Sequence, residues 1–163
     1  MSLAEKHLRR VACIAVFWAL GCSSAAQADA LSRAAQSGWA QAQYALALRY
    51  EEGAAPNLTL ALRWYQRAAL QGHAAAQNNL GALYFEQRNF QQALHWYQSA
   101  AKKGNAQSQF NLALMYELGQ ASPANFERAQ YWYKRAAAQG HWQAQYNLAR
   151  LFDDDLPLLQ DMP

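Results

Sequence analysis

This chain of 163 residues is 53% hydrophobic and 15% charged, a composition that fits one modest globular domain. The formal net charge is +3, but three basic residues and one acidic residue lie within residues 1–28, and the remainder has 11 basic against 10 acidic residues. That near balance removes the main support for nucleic-acid binding. Both cysteines, Cys13 and Cys22, lie in the same N-terminal stretch, so the remainder has neither a disulfide framework nor a thiolate metal ligand.

The N-terminus has the three-part order of a secretory signal peptide. A basic flank precedes an uninterrupted apolar run at residues 11–21 and a small-residue stretch at residues 23–28. The apolar run is too short for an ordinary transmembrane helix. An A-x-A pattern ends at Ala28, so we expect a signal peptide of residues 1–28 and a mature chain that begins at Asp29.

A second, earlier cut in the leader remains open. Residues 19–22 read Ala-Leu-Gly-Cys and resemble a bacterial lipobox, in which Cys22 is acylated after removal of a signal of residues 1–21. Ser23 fits outer-membrane sorting, whereas Ala19 stands where lipoboxes strongly prefer leucine. The two cuts predict a soluble periplasmic protein and an outer-membrane lipoprotein that faces the periplasm, respectively.

From residue 38 onward the same pattern of residues returns several times. Four glycines, Gly38, Gly72, Gly104 and Gly140, follow one another at steps of 34, 32 and 36 residues. After each glycine comes Gln-x-x-Leu-x-x-x-Tyr (Phe in the last copy), and after each of the first three this is followed by Ala-x-x-Trp-Tyr-x-x-Ala-Ala. Such a period indicates stacked structural repeats.

Each copy is predicted to form a helix–turn–helix hairpin. The apolar residues of each half recur at helical spacing and make one stripe per helix; in the first copy they are Ala42, Leu46, Ala47 and Tyr50, then Ala61, Tyr65, Ala68 and Ala69. Gly53 with Pro56 and Gly119 with Pro123 separate the halves, and the four glycines end the second helices. Small alanines allow close helix contact, and the repeated tryptophans fill the space between hairpins.

These motifs resemble Sel1-like repeats, a subgroup of the tetratricopeptide superfamily, over residues 30–152. The resemblance implies an all-α fold, a right-handed α-solenoid of stacked hairpins, with about three full repeats and a half-repeat at each end of a domain of residues 29–152. The turn in the second copy, residues 86–90, is shortened. After Phe152 comes an acidic C-terminal tail, residues 153–163, which we expect to be a solvated end.

No set of residues points to catalysis. The chain has no His-Glu-x-x-His, no glycine-rich phosphate loop and no serine in a nucleophile elbow. His73 and His141 occupy the same repeat position, and we expect them to contact helix-end carbonyls rather than to share a metal. We therefore predict a protein that is not an enzyme and has no cofactor and no metal site.

The resemblance implies that the first helices line a concave partner groove. The predicted groove residues mix aromatic and polar side chains: Gln41, Tyr44, Leu48, Asn78, Phe85, Gln107, Phe110, Leu114, Gln143, Tyr146 and Arg150. We expect Tyr44, Phe110 and Tyr146 to anchor a peptide; alternatively, these aromatics pack between adjacent hairpins. Four glutamates at the helix ends form a predicted acidic rim: Glu51, Glu52, Glu86 and Glu117. A further series, Asn79, Asn111 and Asn147, is predicted to hydrogen-bond between neighbouring helices.

The predicted function is that of a protein–protein interaction module, an adaptor or a dedicated binder of one partner in the bacterial envelope. We expect a monomer with a protein or peptide partner of some basic character, no nucleic acid, and membrane contact only through an anchor at Cys22. The resemblance leaves open a periplasmic immunity protein that blocks a toxin. It also includes cysteine-rich proteins linked to β-lactam hydrolysis, but those carry a cysteine pair in each repeat and this chain has none there.

Overall fold

The computed structural model describes residues 24–53 and 55–152. Most of the predicted signal peptide, with Cys22, and the acidic tail of residues 153–163 lie outside the described residues. The described part contains eight α-helices, which we number in chain order: α1 Ser24–Gln36, α2 Ala40–Glu52, α3 Leu58–Leu70, α4 Ala74–Glu86, α5 Phe90–Lys102, α6 Ala106–Glu117, α7 Phe126–Ala137 and α8 Trp142–Phe152.

Each helix packs against the helix before it and the helix after it. Helices α2–α3, α4–α5 and α6–α7 form the first, middle and third hairpins. We call α2, α4, α6 and α8 the first helices and α1, α3, α5 and α7 the second helices, since α1 matches only the second half of a repeat. The predicted all-α solenoid of stacked hairpins is confirmed.

The ends of the second helices are set by the repeated glycines. Gly38, Gly72, Gly104 and Gly140 have φ of 90°, 87°, 90° and 84°, a left-handed conformation that glycine adopts without a steric penalty. The chain then turns directly into the next first helix. This confirms the predicted role of these residues.

The starts of the second helices are set by asparagines. The side chains of Asn57, Asn89 and Asn125 each accept a hydrogen bond from the backbone N–H three residues ahead, which satisfies a donor that the first helical turn leaves unpaired. The middle turn contains only three residues, 87–89, with Arg88 at φ 58°. The short turn predicted for the middle hairpin is therefore present.

The core consists mainly of alanine with a few large side chains. Tyr65, Tyr133, Leu80 and Leu112 are fully buried among alanines of the facing helices, and the third hairpin also buries Met115 and Tyr116. Because alanine keeps the helices close, these few large side chains fill the remaining space. Trp64, Trp96 and Trp132 are partly buried and pack against the clusters of buried residues, as predicted.

One glutamine in each copy holds a first helix to the preceding second helix. The Nε2 atoms of Gln43, Gln77, Gln109 and Gln145 donate to the carbonyl oxygens of the alanines eight residues earlier, at 3.1, 3.0, 3.1 and 3.2 Å. These carbonyls lie in the last turn of a helix and already accept a hydrogen bond from the N–H of the glycine three residues later. The glutamine therefore adds a second, side-chain hydrogen bond to the helix end at every junction between hairpins.

The N-terminal half-repeat packs as a second helix. Ala35 of α1 is buried with Ala42 and Leu46 of α2. Ala28 and Asp29, the residues of the predicted cleavage site, lie within α1. A cut between them would leave the part of α1 that contacts α2.

Candidate functional site

The predicted groove residues all lie on the first helices. In α2 they are spaced three, then four residues apart, so they form one stripe along the helix. The residues of α4, α6 and α8 occupy the corresponding positions, except for Phe85, which corresponds to Glu51. We call this stripe on the four helices the first-helix face. It brings the predicted residues together on one side of the solenoid.

Two of the three predicted aromatic anchors stack on a histidine of the next hairpin. The rings of Tyr44 and His73 lie 4.6 Å apart with an angle of 27°, and those of Phe110 and His141 lie 4.7 Å apart with an angle of 22°. Both aromatic rings are only partly exposed. Tyr44 and Phe110 therefore pack between adjacent hairpins, as the alternative interpretation predicted, and each leaves part of its ring on the first-helix face.

The third predicted anchor lies open to solvent. Tyr146 on α8 is 67% exposed, and Trp142, one helical turn earlier, is 69% exposed. Sequence reasoning missed Trp142. A signal was present, because Trp142 stands where α2, α4 and α6 begin with alanine. The two side chains form an exposed aromatic pair at the C-terminal end of the first-helix face.

The two histidines cap helices, but the predicted contact with carbonyl groups is wrong. The Nδ1 of His73 accepts a hydrogen bond from the N–H of Ala76 at 3.2 Å, and the Nδ1 of His141 accepts one from the N–H of Ala144 at 3.4 Å. Both residues precede a helix, so the unpaired groups beside them are donors rather than acceptors. The position of each histidine after a glycine did not show whether its ring would contact the helix that ends before the glycine or the helix that begins after it.

The cap fixes the protonation of each ring. Because Nδ1 accepts, Nε2 carries the hydrogen and donates to a glutamine Oε1, that of Gln41 at 2.7 Å and that of Gln107 at 3.1 Å. Burial lowers the pKa of His73, as does the charge of Lys103, and burial also lowers the pKa of His141. The geometry therefore requires the neutral imidazole.

Amide groups occupy the middle of the first-helix face. The Oδ1 of Asn78 lies 2.9 Å from the Oγ of Ser108 and accepts from the Nδ2 of Asn111 at 3.3 Å. The same hydroxyl lies 2.9 Å from the Oδ1 of Asn105, and the Nε2 of Gln107 donates to Asn111 at 3.1 Å. These five side chains join the middle and third hairpins through polar contacts where the neighbouring junctions use stacked rings.

Two of the four glutamates of the predicted rim bind buried tyrosines. The hydroxyl of Tyr65 donates to Glu51, and that of Tyr133 donates to Glu117 at 2.7 Å. Burial raises the pKa of both tyrosines, and the hydrogen bond to the carboxylate raises it further. Glu117 also pairs with Arg150, one of the predicted groove residues, and only 9% of its side chain is exposed. Glu52 and Glu86 are the exposed members of the predicted rim.

The asparagine series hydrogen-bonds between helices as predicted. The Nδ2 atoms of Asn79 and Asn147 donate to the hydroxyls of Tyr65 and Tyr133, each at 3.0 Å. The Nδ2 of Asn111 donates to the Oδ1 of Asn78 at 3.3 Å. Asn111 also hydrogen-bonds to Tyr97, the buried tyrosine of α5. Each asparagine thus connects two successive hairpins.

The remaining predicted groove residues are mainly structural contacts. Leu48 and Leu114 are partly buried against the core, and the ring of Phe85 meets the ring of Phe90 edge-on at 5.3 Å. Phe85 stands at the helical position that Glu51 and Glu117 occupy in their hairpins. Gln143 is partly exposed on α8, beside the exposed aromatic pair.

Two further features, a metal-binding cluster and a membrane-spanning helix, are absent from the described residues. Within residues 24–53 and 55–152, no group of three or more histidine, cysteine, aspartate or glutamate side chains could hold a metal ion. In the same part of the chain, no helix has the length and the apolar composition needed to cross a membrane.

Comparison with known proteins agrees with this architecture. A family model described as Sel1 repeat matches residues 40–73, 74–105, 106–141 and 142–163, and each match begins with a first helix. Among solved structures, c5321, a protective antigen of uropathogenic Escherichia coli strains with an SLR fold, is 36% identical with a TM-score of 0.71. That match covers 74% of this chain and 27% of c5321, so this chain spans about a quarter of that protein.

A second structure matches over nearly its whole length. A Sel1 repeat protein from Oxalobacter formigenes is 33% identical with a TM-score of 0.70, and the match covers 76% of this chain and 98% of that protein. The comparison with curated proteins gave no significant match. The four family matches and the shared architecture lead to one conclusion: the chain belongs to the Sel1 repeat family.

Proposed function

We propose that the protein binds a segment of one partner protein on its first-helix face, as an adaptor or dedicated binder in the bacterial envelope. The observation that carries this proposal is the pair Trp142 and Tyr146, 69% and 67% exposed and one helical turn apart. Tryptophan and tyrosine dominate the binding energy of protein interfaces, and adjacent exposed aromatics are rare on surfaces without a partner. The fold itself is that of a family of interaction modules.

The rest of the face suits a polypeptide. From the aromatic pair toward the N-terminus it presents the edge of the Phe110–His141 stack, then the amide cluster around Asn78. Aromatic edges accept apolar side chains, and amide groups can pair with the N–H and C=O groups of an extended chain. The partner therefore needs apolar side chains for the end of the face and accessible backbone for its middle.

The exposed glutamates add a preference for basic residues in the partner. Glu52 and Glu86 are exposed at the ends of α2 and α4. Changing Glu52 and Glu86 to lysine is expected to weaken capture of the partner, most strongly at low salt. Glu51 and Glu117 do not suit this test, because their carboxylates hold Tyr65 and Tyr133 and their loss would disturb the fold.

The decisive experiment compares two exposed tyrosines on opposite sides of the hairpins. Tyr146 on α8 belongs to the first-helix face, and Tyr131 on α7, 51% exposed, belongs to a second helix. Tagged protein is used to capture partners from envelope extracts. Tyr146→Ser is expected to lose the captured protein, whereas Tyr131→Ser keeps it, with both variants melting at the wild-type temperature. Equal capture by both variants contradicts the assignment of the face.

Export is part of the proposal and has its own measurement. Intact mass of the protein purified from the envelope distinguishes a chain that begins at Asp29 from one that begins at an acylated Cys22. Either mass supports envelope localisation, and a mass that still includes Met1 contradicts it.

A further inference from the structure

Charge is divided unequally between the two layers of helices. The four first helices carry two arginines and four glutamates, whereas α3, α5 and α7, with the cap residue Lys103, carry seven basic residues and one acidic residue, Glu127. All seven of these basic side chains are exposed. The near-neutral composition of the chain therefore hides a polarised domain, in which the layer of second helices is strongly positive.

Five of these cations share one outward stripe, which we call the basic stripe: Arg63, Arg67, Lys102, Arg128 and Arg135. Within each helix its residues and their exposed neighbours are three, four or seven positions apart, which places them on the same side. The C-terminal ends of α3 and α5 also lie close together, since the Nζ of Lys103 at the end of α5 donates to the carbonyl of Gly72 at the end of α3. The acidic residue of these helices, Glu127, is exposed next to Arg128.

Three of these cations lie against aromatic rings, among them Arg128, whose guanidinium is 5.5 Å from the ring of Tyr116. The guanidinium of Arg67 lies 4.6 Å from the ring of Trp64, and that of Arg135 lies 5.7 Å from Tyr131 and 5.9 Å from Trp132. A guanidinium on an aromatic face is weakly hydrated and keeps its N–H groups directed outward, so it loses little freedom when it meets a phosphate.

Exposed apolar groups lie among the cations. Leu70 on α3 is 77% exposed beside Arg67, and Tyr131 on α7 is 51% exposed beside Arg128 and Arg135. A surface that binds nucleic acid through phosphates alone gains nothing from an exposed leucine, whereas cations mixed with apolar and tyrosine side chains match the boundary between lipid headgroups and acyl chains.

We propose that the basic stripe binds the surface of an anionic phospholipid membrane, with its cations on the lipid phosphates and with Leu70 and Tyr131 entering the headgroup region. The domain then lies on the membrane by its second helices and leaves the first-helix face directed away from the bilayer. This contact is independent of any anchor at Cys22.

The test uses the full chain with Cys22→Ser, which removes the acylation site, and sedimentation with two kinds of vesicle. Vesicles of phosphatidylcholine and phosphatidylglycerol are expected to bind the protein at low salt and to release it at high salt, whereas vesicles of phosphatidylcholine alone bind it much less. Failure to bind the anionic vesicles at low salt overturns the proposal.

Two arginine variants with the same chemistry separate the stripe from net charge. Arg63 lies in the stripe and Arg49 lies on the first helix α2; both are exposed. Arg63→Gln is expected to weaken vesicle binding about 5-fold and Arg63→Gln with Lys102→Gln about 25-fold, at roughly fivefold for each cation. Arg49→Gln should leave vesicle binding within about 2-fold of that of the chain with Arg49 and Arg63 intact, because Arg49 lies outside the proposed membrane contact.

The possible outcomes distinguish this proposal from that for the first-helix face. Equal weakening by Arg63→Gln and Arg49→Gln would mean that only net charge matters, and tighter binding to a DNA duplex than to the anionic vesicles would assign the stripe to nucleic acid; either result overturns the proposal. Arg63→Gln should retain capture of the protein partner, and Tyr146→Ser should retain vesicle binding. Circular dichroism confirms that each variant is folded.

Discussion

The first and third hairpins share a set of contacts that the middle hairpin lacks. In the first and third, an aromatic ring stacks on a histidine of the next repeat, and a glutamate accepts from the buried tyrosine. The corresponding positions of the middle hairpin and of its junction with the third hairpin hold Asn78, Phe85 and Asn105. The hydroxyl of the buried Tyr97 there donates no hydrogen bond to a carboxylate among the described residues, although the charge of Glu86 helps to raise the pKa of Tyr97. All three changes occur together at this hairpin and its junction.

The shared absence indicates that these contacts work as a unit. A carboxylate, a tyrosine hydroxyl and an asparagine form one hydrogen-bonded chain across two hairpins, and the ring of Tyr44 or Phe110 lies beside that tyrosine at 5.9 or 5.8 Å. The middle hairpin replaces this unit with amide contacts around Asn78 and with apolar packing of Phe85. The constant residues of the repeat thus build the stack, and the variable residues decide how each junction is held.

The largest expected effect comes from removing one hydroxyl from each hairpin. Tyr65→Phe and Tyr133→Phe each lose a hydrogen bond to a charged group, worth about 1.5–3 kcal/mol, although Glu117 keeps its ion pair with Arg150 when Tyr133 is replaced. Tyr97→Phe loses a neutral bond to Asn111, worth about 0.5–1.5 kcal/mol. The free energy of unfolding from urea denaturation measures all three. Equal losses would show that the carboxylates contribute no more than the amide.

The repeat predicted most of the fold because its signal is local. Leucine, tyrosine and alanine at helical spacing specify each helix, and the glycines with positive φ specify where second helices end. Local sequence patterns could not predict the hydrogen-bond partners of Glu51 and Glu117. Each glutamate meets a tyrosine 14 or 16 residues later, across a turn, and that meeting depends on how the two helices pack.

The position of the residues on the first-helix face was predictable from the sequence, but the contacts of their side chains were not. The eleven predicted groove residues lie on one face, yet Tyr44 and Phe110 are shared with the packing between hairpins. A useful signal was overlooked: the histidine, the aromatic residue and the glutamate are present together in two copies and absent together from the third. Comparing copies within one chain would have indicated that these residues contact one another.

The next effect is the pH dependence of stability, which the histidine caps of α4 and α8 should cause and the asparagine cap of α6 should not. The folded state keeps His73 and His141 neutral with lowered pKa values, so the unfolded chain binds protons more readily. The two caps contribute fully to the free energy of unfolding above pH 6.5, the ordinary pKa of histidine, and this contribution is lost as the pH falls below that value. Each cap contributes about 1 kcal/mol at most, and urea denaturation between neutral and mildly acidic pH measures the loss.

The middle hairpin supplies the matched control for this prediction. Asn105 caps α6 through its side chain, which accepts from the N–H of Ser108 at 2.8 Å and does not titrate. The double variant His73→Asn with His141→Asn should therefore lose much of the acid dependence, and it should also lose some stability at neutral pH because the stacking of each imidazole on Tyr44 or Phe110 is removed. Asn105→His should increase that dependence. An unchanged pH profile in both variants would exclude the caps as its source.

The smallest effect concerns Gln77, a junction glutamine whose buried side-chain oxygen has no hydrogen-bond partner within the described part of the chain. Gln71 and Gln139 donate to the Oε1 atoms of Gln43 and Gln109 at 2.7 and 2.8 Å. The corresponding residue of the middle hairpin is Lys103, whose Nζ donates to Gly72 O, and the buried Oε1 of Gln77 has no hydrogen-bond partner among the described residues. A buried acceptor without a donor costs free energy that a glutamine at this position could recover.

Lys103→Gln is therefore expected to stabilise the domain by about 1 kcal/mol or less, since it satisfies Gln77 and gives up an exposed bond. The converse change in the third hairpin, Gln139→Lys, should destabilise it by a similar amount, because it leaves the buried Gln109 acceptor unpaired. Lys103→Gln also removes the cation that helps to lower the pKa of His73, so the NMR titration of His73 should move upward while that of His141 stays in place. If Lys103→Gln stabilised the domain without raising the pKa of His73, the gain in stability would not arise at this junction.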